Sequence, residues 1–209
     1  MARFAQAISE GDGISVIPLL EGDVGRLAAA ADAAGAEALA VWRQDGVASA
    51  RAQTGLPVLL RETELDVSEE LRFLRSPDAD ACILMYAEWA GSDDAERVHE
   101  RLSSDGVDCA VGVRDEEELE HALERLDPEI VLICRPAANY EEEELELVLD
   151  LLPDVPAGKL VIAESGVIAR EQALALQRAG VDAVIVQDLA EDVAFSRAIE
   201  ELAGAQRGH

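Results

Sequence analysis

The chain has 209 residues, 49% of them hydrophobic, and sets 44 carboxylates against 17 cationic side chains for a formal charge of −27 at pH 7. With no basic patch to neutralise phosphates, that balance argues against nucleic acid and anionic membranes as partners. The apolar content argues against a disordered acidic chain, and two hundred residues bury one good core, so one domain over 1–209 is expected.

Met1-Ala2-Arg3-Phe4 opens a short polar segment without the apolar stretch of a signal peptide, which predicts a cytoplasmic protein. Short runs rich in Val, Ile and Leu then predict strands over 15–20, 38–42, 57–60, 81–86, 108–113, 130–134, 160–163 and 183–186. These runs are continuous rather than alternating, as parallel strands buried on both faces require. Between them, amphipathic or acidic periodicity predicts helices over 24–34, 93–103, 116–126, 141–152, 170–179 and 192–203. None of the apolar runs is long enough to span a bilayer.

One theme recurs where helix passes into strand: Ala34-Gly35-Ala36-Glu37-Ala38-Leu39, Asp105-Gly106-Val107-Asp108-Cys109-Ala110 and Ala179-Gly180-Val181-Asp182-Ala183-Val184. The glycine ends a helix in a left-handed turn, an acid follows, and an apolar strand begins. Eight strands alternating with helices, with no linker, predict a single (β/α)₈ TIM barrel, trimmed, with a short segment before the first strand. A doubly wound open sheet is the alternative, but no glycine-rich phosphate loop follows the first strand.

The active site of such a barrel is built at the C-terminal ends of its strands. Those ends read Leu20-Glu21, Arg43-Gln44, Arg61-Glu62, Tyr86 with Glu88, Arg114, Cys134-Arg135, Glu164-Ser165-Gly166 and Gln187-Asp188. Arg43, Arg61, Arg114 and Arg135 would form a ring of guanidinium forks suited to phosphate or carboxylate, which predicts an anionic small-molecule ligand. The competing reading is that they pair with Glu62, Glu88, Glu164 and Asp188. Glu164 is the expected proton-transfer group, and Ser165-Gly166 offers backbone N–H groups to an oxyanion.

The cysteines, Cys82, Cys109 and Cys134, are an odd number at wide spacing, fitting a reducing compartment better than a disulfide framework. Cys134 lies nearest the mouth but has no histidine beside it. His99 and His121 fall on helix surfaces, and no spacing suggests a metal site. No cofactor is expected. Trp42 and Trp89 either shape the pocket or pack, and the acidic run over 141–146 reads as a solvated helix face.

The cations are sixteen arginines and a single lysine, Lys159. Lysine depletion under a coat of carboxylates suits a salt-accumulating cytoplasm, where concentrated salt shortens the Debye length to about 3 Å at 1 M and screens the self-repulsion. Lys159 precedes the seventh strand, at the end of the barrel opposite the mouth, so Schiff-base and lysine-acid chemistry at the mouth are not expected.

Phe4-x-x-Ala7-Ile8 followed by Gly13-Ile14-Ser15-Val16-Ile17 resembles the approach to the first strand of indole-3-glycerol phosphate synthase. Similar too are Ala34-Gly35-Ala36-Glu37-Ala38-Leu39, Pro57-Val58-Leu59-Leu60-Arg61-Glu62, Asp115-Glu116-Glu117-Glu118-Leu119 and Ala163-Glu164-Ser165-Gly166-Val167, in order along nearly the whole chain. The resemblance implies a TIM barrel and a decarboxylative ring closure of a phosphorylated carboxyphenylamino-deoxyribulose, the indole-forming step of tryptophan biosynthesis. The chain departs from the family's pattern. The family's Glu and Lys on the first strand fall on Leu19 and Glu21, and its general-acid Lys after the third strand on Arg61, with the neighbouring Asp on Glu62. Its fifth-strand Glu falls on Gly112 and its sixth-strand Asn on Cys134, while Glu164 and Ser165 match. Glu21-Gly22-Asp23 replaces a phosphate-gripping loop, and Gln187 a phosphate-binding glycine. Arginine, with a pKa above 12, gives up a proton poorly. The expectation is therefore a divergent relative that binds an anionic, phosphorylated molecule with the family reaction lost or altered. The alternative is a non-catalytic regulatory or assembly subunit with a plugged mouth, and a protein partner or a second copy of the chain is left open.

Overall fold

The computed structural model describes residues 3–11, 13–61, 79–89, 94–134, 141–165, 169–187 and 193–203. Eight parallel strands close into one barrel in sequence order, β1 (Ser15–Leu20), β2 (Leu39–Val41), β3 (Val58–Leu60), β4 (Ala81–Met85), β5 (Asp108–Val113), β6 (Ile130–Ile133), β7 (Leu160–Ser165) and β8 (Ala183–Val186). Pairing of Ser15 with Ala183 through Pro18 with Val186 seals β1 against β8. The TIM barrel expected from the pattern of apolar runs is the fold observed.

Helices α1 (Arg3–Ser9), α2 (Val24–Ala34), α3 (Gln44–Arg51), α4 (Tyr86–Trp89), α5 (Asp94–Asp105), α6 (Glu116–Leu126), α7 (Glu141–Leu151), α8 (Arg170–Ala179) and α9 (Val193–Ala203) accompany the strands. Helix α2 starts on Asp23, whose carboxylate accepts the Arg26 N–H, and α6 on Asp115, which accepts the Glu118 N–H at 2.9 Å. Each cap satisfies a backbone donor that the first turn leaves orphaned. Gly35 and Gly180 end α2 and α8 at φ 95° and 107°, the left-handed turn expected from the recurring theme.

The acid of that theme has a structural task at the N-terminal face. Glu37 accepts the Val16 N–H at 2.9 Å and Asp182 the Val161 N–H at 2.7 Å, each tying the start of one strand to its neighbour. Asp80 does the same for Val58 at 2.8 Å. Asp108 instead accepts the Ala5 N–H at 2.8 Å and so anchors α1. Helix α1 replaces the expected polar segment. Its Phe4, Ala5 and Ile8 are buried against interior residues such as Ile17, Ile130 and Ile162, closing the bottom of the barrel.

Two apolar layers result. Residues such as Val16, Val41, Val111 and Val184 face the helices, and Ile17, Ala40, Ala110 and Ile185 face the axis, the alternation of a sheet closed on itself. Two differences from the sequence reading are local. Tyr86 leaves β4 to begin the one-turn α4 instead of ending the strand, and β7 runs on through Ser165. His99, expected on the surface, is half-buried, and burial holds its imidazole below its ordinary pKa. Among the described residues, no helix is long and apolar enough to cross a membrane.

Candidate functional site

The period-two alternation decides which strand-end side chains reach the mouth. Ile162, Leu59, Ile83, Leu132 and Ala40 face the axis, so Glu164, Arg61, Met85, Cys134 and Trp42, two positions on, continue the same row upward. Gly112, two residues after the inward Ala110, belongs to this layer as well.

At its centre lies an ion pair. Arg61 Nη2 donates to Glu164, 2.6 Å from Oε1 and 2.8 Å from Oε2. Glu164 is 1% exposed at its side chain and Arg61 12%. The guanidinium carbon of Arg61 sits 4.5 Å from the centroid of the Trp42 ring, well inside cation–π range. The Trp42 indole N–H in turn donates to Glu21 Oε1 at 2.6 Å. A chain Glu21–Trp42–Arg61–Glu164 thus spans the ends of β1, β2, β3 and β7.

Beside it the layer is filled by sulfur. A Cβ placed on Gly112 would lie 2.6 Å from Met85 Sδ and 2.9 Å from Cys134 Sγ, so this position has no room for a side chain. Cys134 is buried with its thiol 3.6 Å from Met85 Sδ. Burial pushes that thiol far above its ordinary pKa, which leaves it protonated and a poor nucleophile at neutral pH. Glu88 lies within electrostatic reach of both Arg114 and Arg61. Desolvation raises its pKa, and the two cations oppose the rise.

The remaining sequence candidates sort by position. Arg114 is exposed two residues beyond Gly112, its backbone N–H donating to Glu118 at 2.8 Å. Arg43 follows the outward-facing Val41 and is not brought to Arg61. It stands as N-cap of α3, its side chain 77% exposed and 4.0 Å from Asp45. With Glu21, Asp23, Asp45 and Trp42 it lines a flanking cavity of about 580 Å³ between the ends of β1 and β2. Gln187 is half-buried at the end of β8. Ser165 ends β7. Glu62, Arg135, Gly166 and Asp188 lie outside the described residues. Lys159 is held at the opposite face, where its ammonium meets the backbone carbonyl and carboxylate of Asp127. Among the described residues no His, Cys, Asp and Glu group has the arrangement of a metal site. Trp42 is the one contributor to the central cluster whose role the sequence left open between shaping the pocket and packing, although its inward parity could have settled its direction.

Residues 46–202, three quarters of the chain, match the indole-3-glycerol phosphate synthase family. This chain belongs to the indole-3-glycerol phosphate synthase family. Similar curated relatives are the indole-3-glycerol phosphate synthases of Variovorax paradoxus (strain S110) and Bordetella pertussis (strain Tohama I). The first is 35% identical over 158 residues, covering 75% of this chain and 56% of the relative. The second is 35% identical over 155 residues, covering 74% and 56%. The chain therefore spans little more than half the length of these relatives. A solved N-acetylmannosamine-6-phosphate 2-epimerase from Clostridium perfringens superimposes with a TM-score of 0.67 over 87% of this chain and 89% of its own. At 17% identity that similarity speaks to the barrel alone.

Proposed function

We propose that this family member binds an anionic, phosphorylated small molecule at the C-terminal mouth of its barrel, with the family's decarboxylative ring closure lost or altered. The observation that carries the reading is the buried Arg61–Glu164 pair. Resemblance to the family puts its general-acid lysine on Arg61, and a guanidinium engaged by a carboxylate at 2.6 Å is a cation for holding charge, not a proton donor. The filled space at Gly112 supports the same conclusion, because the carboxylate that resemblance would put there has no room. Arg61 and the exposed Arg114 are the groups that would meet the anion, Gln187 and Ser165 standing at the same rim.

The test is turnover of the carboxyphenylamino-deoxyribulose phosphate, followed by indole fluorescence, together with calorimetric binding of the same compound, both in molar KCl. Binding without indole formation is the expected result. Indole formation that disappears in Glu164→Gln would overturn the loss of the reaction and make Glu164 its proton-transfer group. Neither binding nor turnover in folded protein would favour the second reading, a regulatory or assembly subunit, which draws on the same self-neutralising ion pair. The charge of −27 with one lysine further supports a protein that works in concentrated salt.

A further inference from the structure

The Arg61 guanidinium is held from two sides, yet one of its donors is left over. Glu164 takes Nη2, and the Trp42 ring covers the planar group at 4.5 Å. The Nε–H is buried and meets no acceptor among the described residues. A buried, charged donor without an acceptor is costly, so it marks a place where an acceptor belongs. We propose that Arg61 Nε–H takes an oxygen of the ligand's oxyanion, and that Trp42, oriented by Glu21, is the positioning residue for this grip. The proposal rests on the anion-binding reading of the mouth given above.

Each contact has a separate task. The ion pair fixes where one end of the guanidinium lies but leaves rotation about that contact. Stacking on the indole fixes its plane. The hydrogen bond of 2.6 Å from the indole N–H to Glu21 then fixes the indole itself. A carboxylate acceptor on that N–H also feeds electron density into the ring, which strengthens its attraction for the cation. What remains is a donor aimed along a set direction, the condition for recognising a planar carboxylate or a phosphate face at low entropic cost. Glu164 has already neutralised Arg61, so the ligand's charge is met by Arg114, which shares Glu88 with Arg61 as an electrostatic neighbour. Glu21 and Trp42 both precede residue 46, where the family match begins, so nothing in that match supplies them.

The experiment is isothermal titration calorimetry in molar KCl with two probes, inorganic phosphate and benzoate, on the wild-type chain, Trp42→Phe, Trp42→Leu, Glu21→Ala and Arg61→Ala. Thermal melts check that each variant is folded. The wild type should bind at least one probe, and the one it prefers names the oxyanion. Trp42→Phe keeps a ring over the guanidinium and should bind within about threefold of wild type. Trp42→Leu removes the ring and should lose about tenfold or more, and Arg61→Ala should abolish binding. Should Trp42→Leu fail to fold, Glu21→Ala gives the second reading, with binding weakened about threefold and the Trp42 emission shifted in a Trp89→Phe background. Equal affinity in the wild type, Trp42→Leu and Glu21→Ala overturns the positioning role while leaving the anion site standing. Absence of binding of both probes by the folded wild type overturns the anion site and the positioning role together.

Discussion

Removing Arg61 alone should destabilise the barrel more than removing Arg61 and Glu164 together. Glu164 is 1% exposed at its side chain, so Arg61→Met takes the paired cation away from an interior carboxylate, a change that costs about 3–5 kcal/mol when a buried pair is broken from one side. Loss of the stack on Trp42 adds about 0.5–2 kcal/mol. Unfolding entropy of about 2.1 cal/mol/K per residue gives about 0.44 kcal/mol/K for the 209-residue chain. The single substitution should then lower Tm by roughly 7–11 °C from the broken pair alone. Glu164→Leu, which strands the guanidinium instead, should fall less far, because Arg61 at 12% exposure keeps some contact with water. The double variant Arg61→Met with Glu164→Leu replaces the pair by apolar groups and should melt within about 3 °C of wild type, giving a double-mutant cycle with a large coupling energy. The assay is circular dichroism melting of all four proteins in the same molar KCl. Single variants that melt within 2 °C of wild type and sum to the double variant would refute the reasoning, since a buried, coupled pair cannot behave additively.

Other expectations follow from the same structure. Burial raises the Asp182 carboxyl above its ordinary pKa and outweighs the Val161 N–H it accepts; its stabilising contribution is full below that ordinary pKa and is lost as pH rises through the folded pKa. Asp182→Asn, which keeps an oxygen to accept from Val161, should therefore melt higher than wild type at pH 7 and lose that advantage towards pH 4; a melting difference constant with pH would refute the assignment. Gly112→Ala should cost about 1–3 kcal/mol in chemical denaturation, because its methyl would stand 2.6 Å from Met85 Sδ, and combined with Met85→Ala it should cost clearly less than the sum of the two single variants. The wild-type Tm should climb steeply from low salt to about 1 M KCl as the −27 charge is screened and level off beyond; a flat or falling curve over that interval would remove the case for a salt-adapted protein.

The fold was largely legible because its signals are local and repeated. Short apolar runs rich in Val, Ile and Leu marked the strands, and Gly35, Gly106 and Gly180 marked the turns where φ is 95°, 76° and 107°. Helices α1 and α3 were not legible. Helix α1 shows its apolar positions only to the barrel bottom it plugs, through Phe4, Ala5 and Ile8. Helix α3 is eight residues long, contains Gly46, and has no capping bond from Arg43. The candidate site was legible as a set of strand ends and not as a geometry. Arg61 and Glu164 lie 103 positions apart, and only barrel closure makes them partners. Parity would have separated Arg43, which follows the outward Val41, from Arg61, which follows the inward Leu59. The space around Gly112 was not legible, because it depends on how Met85 and Cys134 turn into the axis.

The position of Lys159 has a consequence for handling the molecule. Its side chain is 17% exposed, and its ammonium is engaged by Asp127 at the face opposite Arg61 and Glu164. Reagents that acylate lysine side chains therefore find a single, guarded target, and lysine-directed cross-linking will report almost nothing about what this protein touches. Carboxyl-directed coupling has 44 acidic side chains to choose from. If the lysine is instead made to react, every molecule tethered through it faces outward with its barrel mouth towards the solvent, a uniform orientation that few proteins offer without engineering.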